Sequence, residues 1–400
     1  MPLDLNRTAA QIEGMAQALR DRHSDREERI ERALEAVHTF NVDGYRTRRD
    51  EGEQAEFLPG VLEAPDTRYD PPPPPAEFCV AAVDGSHIDV DRHMAARCFL
   101  INIGVSVLVY GRGARADLHN EPTLYARDDE LAIRDPGTYR EQAIEGAVLG
   151  AKRTVEEVRA MARIVAELPP ETPTLAVIDG SLALIGLVGA RNQDFVLREL
   201  VEEGFGREMD RLAELSRDRP LAVAGYISLP GSSEVVRALR VMVCSYGSAD
   251  VGYRCGMRGP GRQPCEGCVG GLMDRDIFAR LLDPGQRSVL FSTSFSGTDQ
   301  YYAADVLFFY VNVGHEIARV EVPSWVVEDQ ARLSLVHGLV VDQCERGRGY
   351  PVALMEAHEQ AVVGGADRRF FVQAVEGALS SRRLPVYSSE KARSKRIRMM

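Results

Sequence analysis

Phe78-Cys-Val-Ala-Ala-Val-Asp-Gly-Ser86 and Thr174-Leu-Ala-Val-Ile-Asp-Gly-Ser181 carry one pattern twice: a short apolar run that ends on aspartate, glycine and serine. Apolar runs of this length read as buried strands, and Asp-Gly-Ser reads as a turn. A buried strand holds its last residue rigidly, and glycine lets the chain turn sharply after it. The aspartate carboxylate is then left at the strand end, where α/β sheets present ligand-binding groups. Two such strands side by side bring Asp84 and Asp179 within reach of one or two cations. Hard divalent ions such as Mg²⁺ and Mn²⁺ prefer oxygen donors of this kind. A single Asp-Gly-Ser is ordinarily only a turn. Repetition after matched strands is what makes the two aspartates candidate metal ligands.

The rest of the chain fills in an α/β pattern. Cys98 to Tyr110, Leu221 to Ser228, Leu307 to Val313 and Ala318 to Val322 read as strands. Pro136 to Leu168, Ser233 to Val241, Val352 to Val363 and Arg368 to Leu379 read as helices. Strands and helices in this order predict a mixed sheet flanked by helices. The helix between the two Asp-Gly-Ser strands has the apolar stripe Val148, Ala151, Val155, Val158, Met161 and Val165. At about 100° per residue, Glu156 faces solvent and Glu157 lies on the flank of the stripe. Glu157 is therefore preferred to Glu156 and Glu145 as the third carboxylate.

Residues 5–38 have apolar residues at near-helical spacing, which predicts an amphipathic helix packed on the domain or paired with a second subunit. Residues 50–76 are acidic and proline-rich, and Pro71 to Pro75 form a stiff polyproline II connector. The expected division is a helical segment 1–49, a connector 50–77, a main domain 78–385 and a basic tail 386–400. The tail offers Lys391, Arg393, Lys395, Arg396 and Arg398 to DNA phosphates, and Arg287 is a weaker candidate of the same kind. Cys244, Cys255, Cys265 and Cys268 form a cluster, expected as an inserted module over 244–268. Four thiolates in a loop-rich stretch suit structural zinc or an iron–sulfur cluster.

The net charge of −12 argues against a basic protein that coats DNA, but clustered carboxylates are what a cation site needs. Met1 to Ser24 lacks the apolar core of a secretory signal, and no apolar run is long enough to span a membrane. Together with seven cysteines read as reduced, these features lead to an expected cytoplasmic location.

Three stretches resemble the NurA nuclease family in order and spacing over about residues 78–380. They are Val80-Ala-Ala-Val-Asp-Gly-Ser86, Leu175-Ala-Val-Ile-Asp-Gly-Ser-Leu182 and Gly349-Tyr-Pro-Val-Ala-Leu-Met-Glu-Ala-His358. The resemblance implies an RNase H-like core and a homodimer. It also implies Mn²⁺- or Mg²⁺-dependent cleavage of DNA, and partnership with a HerA-type hexameric ATPase in resecting double-strand-break ends. By the same resemblance Asp84, Glu157 and Asp179 are the metal carboxylates. Tyr350 and His358 complete the catalytic set, with His358 as a metal ligand or as the acid that protonates the leaving group.

Two other readings compete. Actin-like ATPases and sugar kinases also place Asp-Gly turns at strand ends, but they need several glycine-rich phosphate loops that this chain does not offer. A non-catalytic dimeric adaptor for a ring ATPase would not need Asp84, Asp179 and His358. The chain contains no GxxxxGK[ST], so ATP-driven translocation would have to come from a partner.

Overall fold

The computed structural model describes residues 4–51, 58–89, 96–183, 193–244, 264–293 and 305–384. The chain divides into two units: residues 1–70, 228–296 and 307–319 form one, and residues 71–227, 297–306 and 320–400 form the other. Each unit is thus assembled from three separate stretches of chain. The N-terminal helix α1 (Leu5–His38) buries Ile30, Ala33 and Val37 in one core with Val235, Leu239, Ile277 and Phe278. The N-terminal segment and the stretch around the cysteine cluster therefore share one unit. Within it, Arg319 and Glu234 form a buried ion pair at 2.6 Å, and the Arg319 guanidinium lies 3.6 Å from the Phe308 ring centre.

The second unit holds both Asp-Gly-Ser segments. Its strands are β1 (Phe78–Ile88), β2 (Phe99–Tyr110), β3 (Arg115–Tyr125), β4 (Thr174–Asp179) and β5 (Leu221–Ile227). They lie in the order β5-β4-β1-β2-β3. β5, β4 and β1 are parallel, and β1, β2 and β3 are antiparallel, so the sheet is mixed as expected. Val80 to Val83 and Leu175 to Ile178 are almost fully buried, as strands covered on both faces must be.

The first Asp-Gly-Ser is not a turn. β1 continues through it to Ile88 because β2 pairs with it residue by residue, from Phe78↔Tyr110 to Ile88↔Leu100. The second is a turn: β4 stops at Asp179 and Gly180 has φ of +105°. The edge strand β3 was not anticipated, since its Arg-Ala-Asp-Leu-His-Asn-Glu-Pro-Thr-Leu-Tyr has little apolar alternation and is mostly exposed.

The helix expected over Pro136 to Leu168 begins later. Helix α2 spans Ala147–Glu167, preceded by Gly146 at φ +55° and by a short hairpin of Ala132–Arg134 with Glu141–Ala143. Among the helices that follow are α3 (Gln330–Arg346), α4 (Val352–Ala361) and α5 (Gly365–Ser381). α4 presses directly onto the sheet. A Cβ on Gly104 of β2 would collide with the Ala357 carbonyl and the Ala361 backbone.

Two substitutions separate this close approach from ordinary glycine effects. Gly104→Ala should destabilise the protein by about 1–3 kcal/mol, the usual cost of overpacking. Gly150→Ala, at a helical position with open space around the added methyl, should stabilise it by roughly 0.5–1 kcal/mol. Urea unfolding of both variants checks the contrast, and a tolerated Gly104→Ala would mean that α4 does not rest on the strand.

Candidate active site

The structure brings Asp84, Glu157, Asp179, Tyr350 and His358 together in the second unit. Asp84 lies in β1 and Asp179 ends the neighbouring parallel strand β4, one position beyond the last β1–β4 pair, Val83↔Ile178. The Asp84 carboxylate accepts from the Gly85 amide at 2.7 Å and pairs with His358 Nδ1 at 2.7 Å. Tyr350 donates its hydroxyl to Asp179 and meets the Tyr226 ring edge-on, with centroids 5.4 Å apart.

The helix carrying His358 is clamped at both ends. At its start, the buried Gln343 accepts from the Ala353 amide and donates to the Tyr110 hydroxyl at 3.0 Å. At its end, Asn102 donates to the carbonyls of Gln360 and Ala361, at 3.1 and 2.9 Å, and Ser86 also donates to Ala361. His358 lies one turn before this clamp, so its approach to Asp84 is set by the sheet. The second Asp-Gly-Ser has its own anchor. The buried Glu321 accepts from the Ser181 hydroxyl and the Leu182 amide, both at 2.8 Å, and the Gly180 amide donates to the Tyr226 carbonyl. Sequence reasoning missed Asn102, Gln343 and Glu321. For Asn102 and Glu321 the signal was a polar residue inside a largely apolar strand, and Gln343, beside Asp342 and Glu345, carried none.

Glu157 is more buried than a flank position suggests, 4% exposed. It packs on the backbone of β1: a Cβ on Gly85 would collide with Glu157 Oε1 and lie 2.9 Å from Arg153 Cγ. Gly85 is thus required for close approach and not for a turn. Burial pushes the Glu157 carboxyl from 4.5 up to about 7, the charges of Asp84 and Asp179 push the same way, and Arg153 opposes them. Asp179 is also raised, first by dehydration from the surrounding protein and then by Asp84, although solvent reaches it at the strand end. Tyr350 is raised by burial and by Asp179. The alternatives to Glu157 point elsewhere. Glu156 binds Lys152 and Arg159, and the exposed Glu145 lies 3.6 Å from Arg97.

Among the described residues, no three His, Cys, Asp or Glu side chains are gathered in a ready metal-binding group. Each acid instead has a different partner: Asp84 is paired with His358, Asp179 with Tyr350 and Glu157 with Arg153. The donor set still fits a hard divalent cation. It offers three carboxylates, and the buried Glu157 Oε1 has no aligned hydrogen-bond donor.

Other expected site residues fall differently. Arg287 is corrected: it lies in a short strand, Arg287–Ser288, is 5% exposed, and stacks 4.1 Å over the Tyr69 ring, so it is not a surface contact for phosphates. Cys244 and Cys265 are buried and Cys268 is half-buried, with Arg240 Nε 3.5 Å from Cys265 Sγ. Cys255 and the tail residues Lys391, Arg393, Lys395, Arg396 and Arg398 lie outside the described residues.

Residues 79–363 match the NurA domain family. No curated protein matches the chain significantly. Among solved structures, the NurA nuclease from Sulfolobus solfataricus is similar at 11% identity and a TM-score of 0.48, over 96% of this chain and 98% of that one. A NurA structure bound to dAMP and manganese is similar at 13% identity and a TM-score of 0.33, over 78% of this chain and 90% of that one. Since the family match covers well over half of its 400 residues, the chain belongs to the NurA domain family.

Proposed function

We propose that the chain is a metal-dependent nuclease that hydrolyses phosphodiester bonds in DNA, on a core of the RNase H-like type. One observation carries the reading: Asp84 and Asp179 stand at adjacent strand positions, and the buried Glu157, whose Oε1 has no aligned donor among the described residues, feels the charge of both. Carboxylates crowded in this way are costly unless a cation is shared among them. Asp84, Glu157 and Asp179 would hold Mn²⁺ or Mg²⁺, with His358 as a fourth ligand or as a proton donor. The bound cation would supply an activated water and stabilise charge on the phosphate. The protein's own groups do the rest. The sheet fixes Asp84 and Asp179, the clamp on α4 aims His358 at Asp84, and Tyr350 orients Asp179 through its hydroxyl.

The finer parts of the proposal follow from family membership. They are action on DNA ends in double-strand-break resection, a HerA-type hexameric ATPase as partner, and a homodimer. The absence of a Walker-type sequence fits an external motor. The exposed apolar Leu5, Ile12, Met15 and Leu19 on α1 fit a partner surface. A structural zinc or iron–sulfur cluster on Cys244, Cys255, Cys265 and Cys268 is a separate part. Protein purified without chelators should then carry zinc or iron, and a preparation containing neither removes this part.

End-labelled linear DNA with Mn²⁺ should be cut, and EDTA should stop the cutting. Asp179→Ala should lose about a thousandfold or more in rate, since metal stabilisation is worth several kcal/mol of barrier. Cleavage by Asp179→Ala at the wild-type rate would reject the assignment, and ATP hydrolysis without DNA cleavage would favour the actin-like reading.

A second prediction follows from Glu157. Its native carboxyl holds a proton up to about 7, whereas the unfolded one releases it near 4.5. The native state therefore binds more protons between these values, and stability contributed by the neutral form is lost as pH rises through the window. Without divalent ions, Glu157→Gln should match the wild type in urea midpoint below about pH 4.5, exceed it increasingly up to about pH 7, and keep a constant lead above that. A midpoint difference that is flat with pH would mean that Glu157 titrates normally.

A further inference from the structure

Arg153 and Glu157 lie one turn apart on α2, with Arg153 Nε 3.0 Å from Glu157 Oε1. The charges attract, yet neither atom makes an aligned hydrogen bond with any group among the described residues. The Glu157 side chain is 5% exposed and that of Arg153 is 34% exposed. Among the described residues, Arg153 is the cation that acts on this buried carboxyl, through a poorly aligned Nε–Oε1 approach, while Asp84 and Asp179 repel it. The same guanidinium acts electrostatically on Asp179 and on His87. Its aliphatic stem rests against the backbone at Gly85. Arg153 is therefore a cation inside the carboxylate group and not an ordinary surface arginine.

We propose that Arg153 is a positioning residue, the built-in counter-ion of the site. It holds Glu157 by charge and gives it up when a divalent cation comes to lie between the carboxylates. The proposal rests on the metal-dependent reading above. A carboxylate oxygen facing Arg153 is not free to coordinate, so the guanidinium and the metal compete for Glu157. Poor alignment makes the existing pair a weak hold, because geometry is what makes an arginine–carboxylate pair strong. The partners also differ in what they can do when parted. Arg153 can turn its charge towards water, whereas buried Glu157 cannot. The exchange therefore moves the guanidinium and leaves the carboxylate in place.

Mn²⁺ binding measured calorimetrically without DNA tests the proposal. Arg153→Met keeps the stem on Gly85 and removes the charge. It should bind Mn²⁺ at least about fivefold more tightly than the wild type, the low end of typical coupling between sites. Arg153→Lys, which keeps the charge, should stay near wild type, and the gain should vanish in a Glu157→Gln background. Arg153→Gln gives the same reading should the methionine variant not fold, and a urea midpoint for each variant establishes that it is folded. Unchanged or weaker Mn²⁺ binding by a folded neutral variant overturns the proposal, because a merely structural arginine loses affinity when removed. An equal gain without Glu157 also overturns it, since Arg153 would then act on the whole site. A wild type that binds no Mn²⁺ rejects the metal-dependent reading itself, and with it any competition at Glu157.

Discussion

Everything at this site depends on how closely helices can approach the backbone at one point of the sheet. Asp84 and Gly104 are directly opposite across β1 and β2, so their side chains share a face. That face receives α4: Gly104 leaves room for Ala357 and Ala361, and Asp84 meets His358. Gly85, one residue on, points to the other face. There it leaves room for Glu157 and Arg153 of α2. Two glycines at neighbouring positions thus let two helix layers come down on opposite faces of the same strand pair. A methyl at either position would lift the helix that carries one of the site's charged side chains.

The close approach has an electrostatic consequence. Burial first, and then the charges of the neighbouring carboxylates, push the Glu157 and Asp179 carboxyls upward. Each acid is tied to a different partner: Asp84 to His358, Asp179 to Tyr350 and Glu157 to Arg153. The outer ring of polar contacts, Asn102, Gln343, Ser86 and Glu321, carries little of this charge. It fixes the helix and the turn on which the charged groups stand. Such a division between groups that act and groups that hold is expected where small displacements of a reacting group are expensive.

Much of this was legible in the sequence because it is written in local pattern. The apolar runs gave the parallel strands β1 and β4, and helical periodicity gave α2 and singled out Glu157. Nonlocal contacts were not legible. Identical Asp-Gly-Ser triplets became a continuing strand in one place and a turn in the other, since only the first has a long antiparallel partner. Polar β3 was missed because an exposed edge strand needs no apolar alternation. Arg287 looked like a surface cation, and its burial against Tyr69 follows from pairing that no spacing reveals. Asn102 and Gln343 matter through hydrogen bonds across more than two hundred residues of chain, apart from Gln343's bond to nearby Ala353.

The net charge of −12 is a poor guide to whether this chain can handle a polyanion, and the site explains why. Asp84, Glu157 and Asp179 bring up to three negative charges. Arg153 brings one positive charge, and His358 brings a second only when protonated. Even with both, the group has no surplus positive charge to offer a phosphate. A divalent cation held as proposed would reverse that balance locally, because it would add two charges beside the carboxylates and free the guanidinium from Glu157. Repulsion between the carboxylates and a phosphate is then a reason for the cation and not an argument against the substrate. On this view the acidity of the whole chain sets its solubility and its long-range field. The few ångströms around Gly85 decide whether an anion can be held.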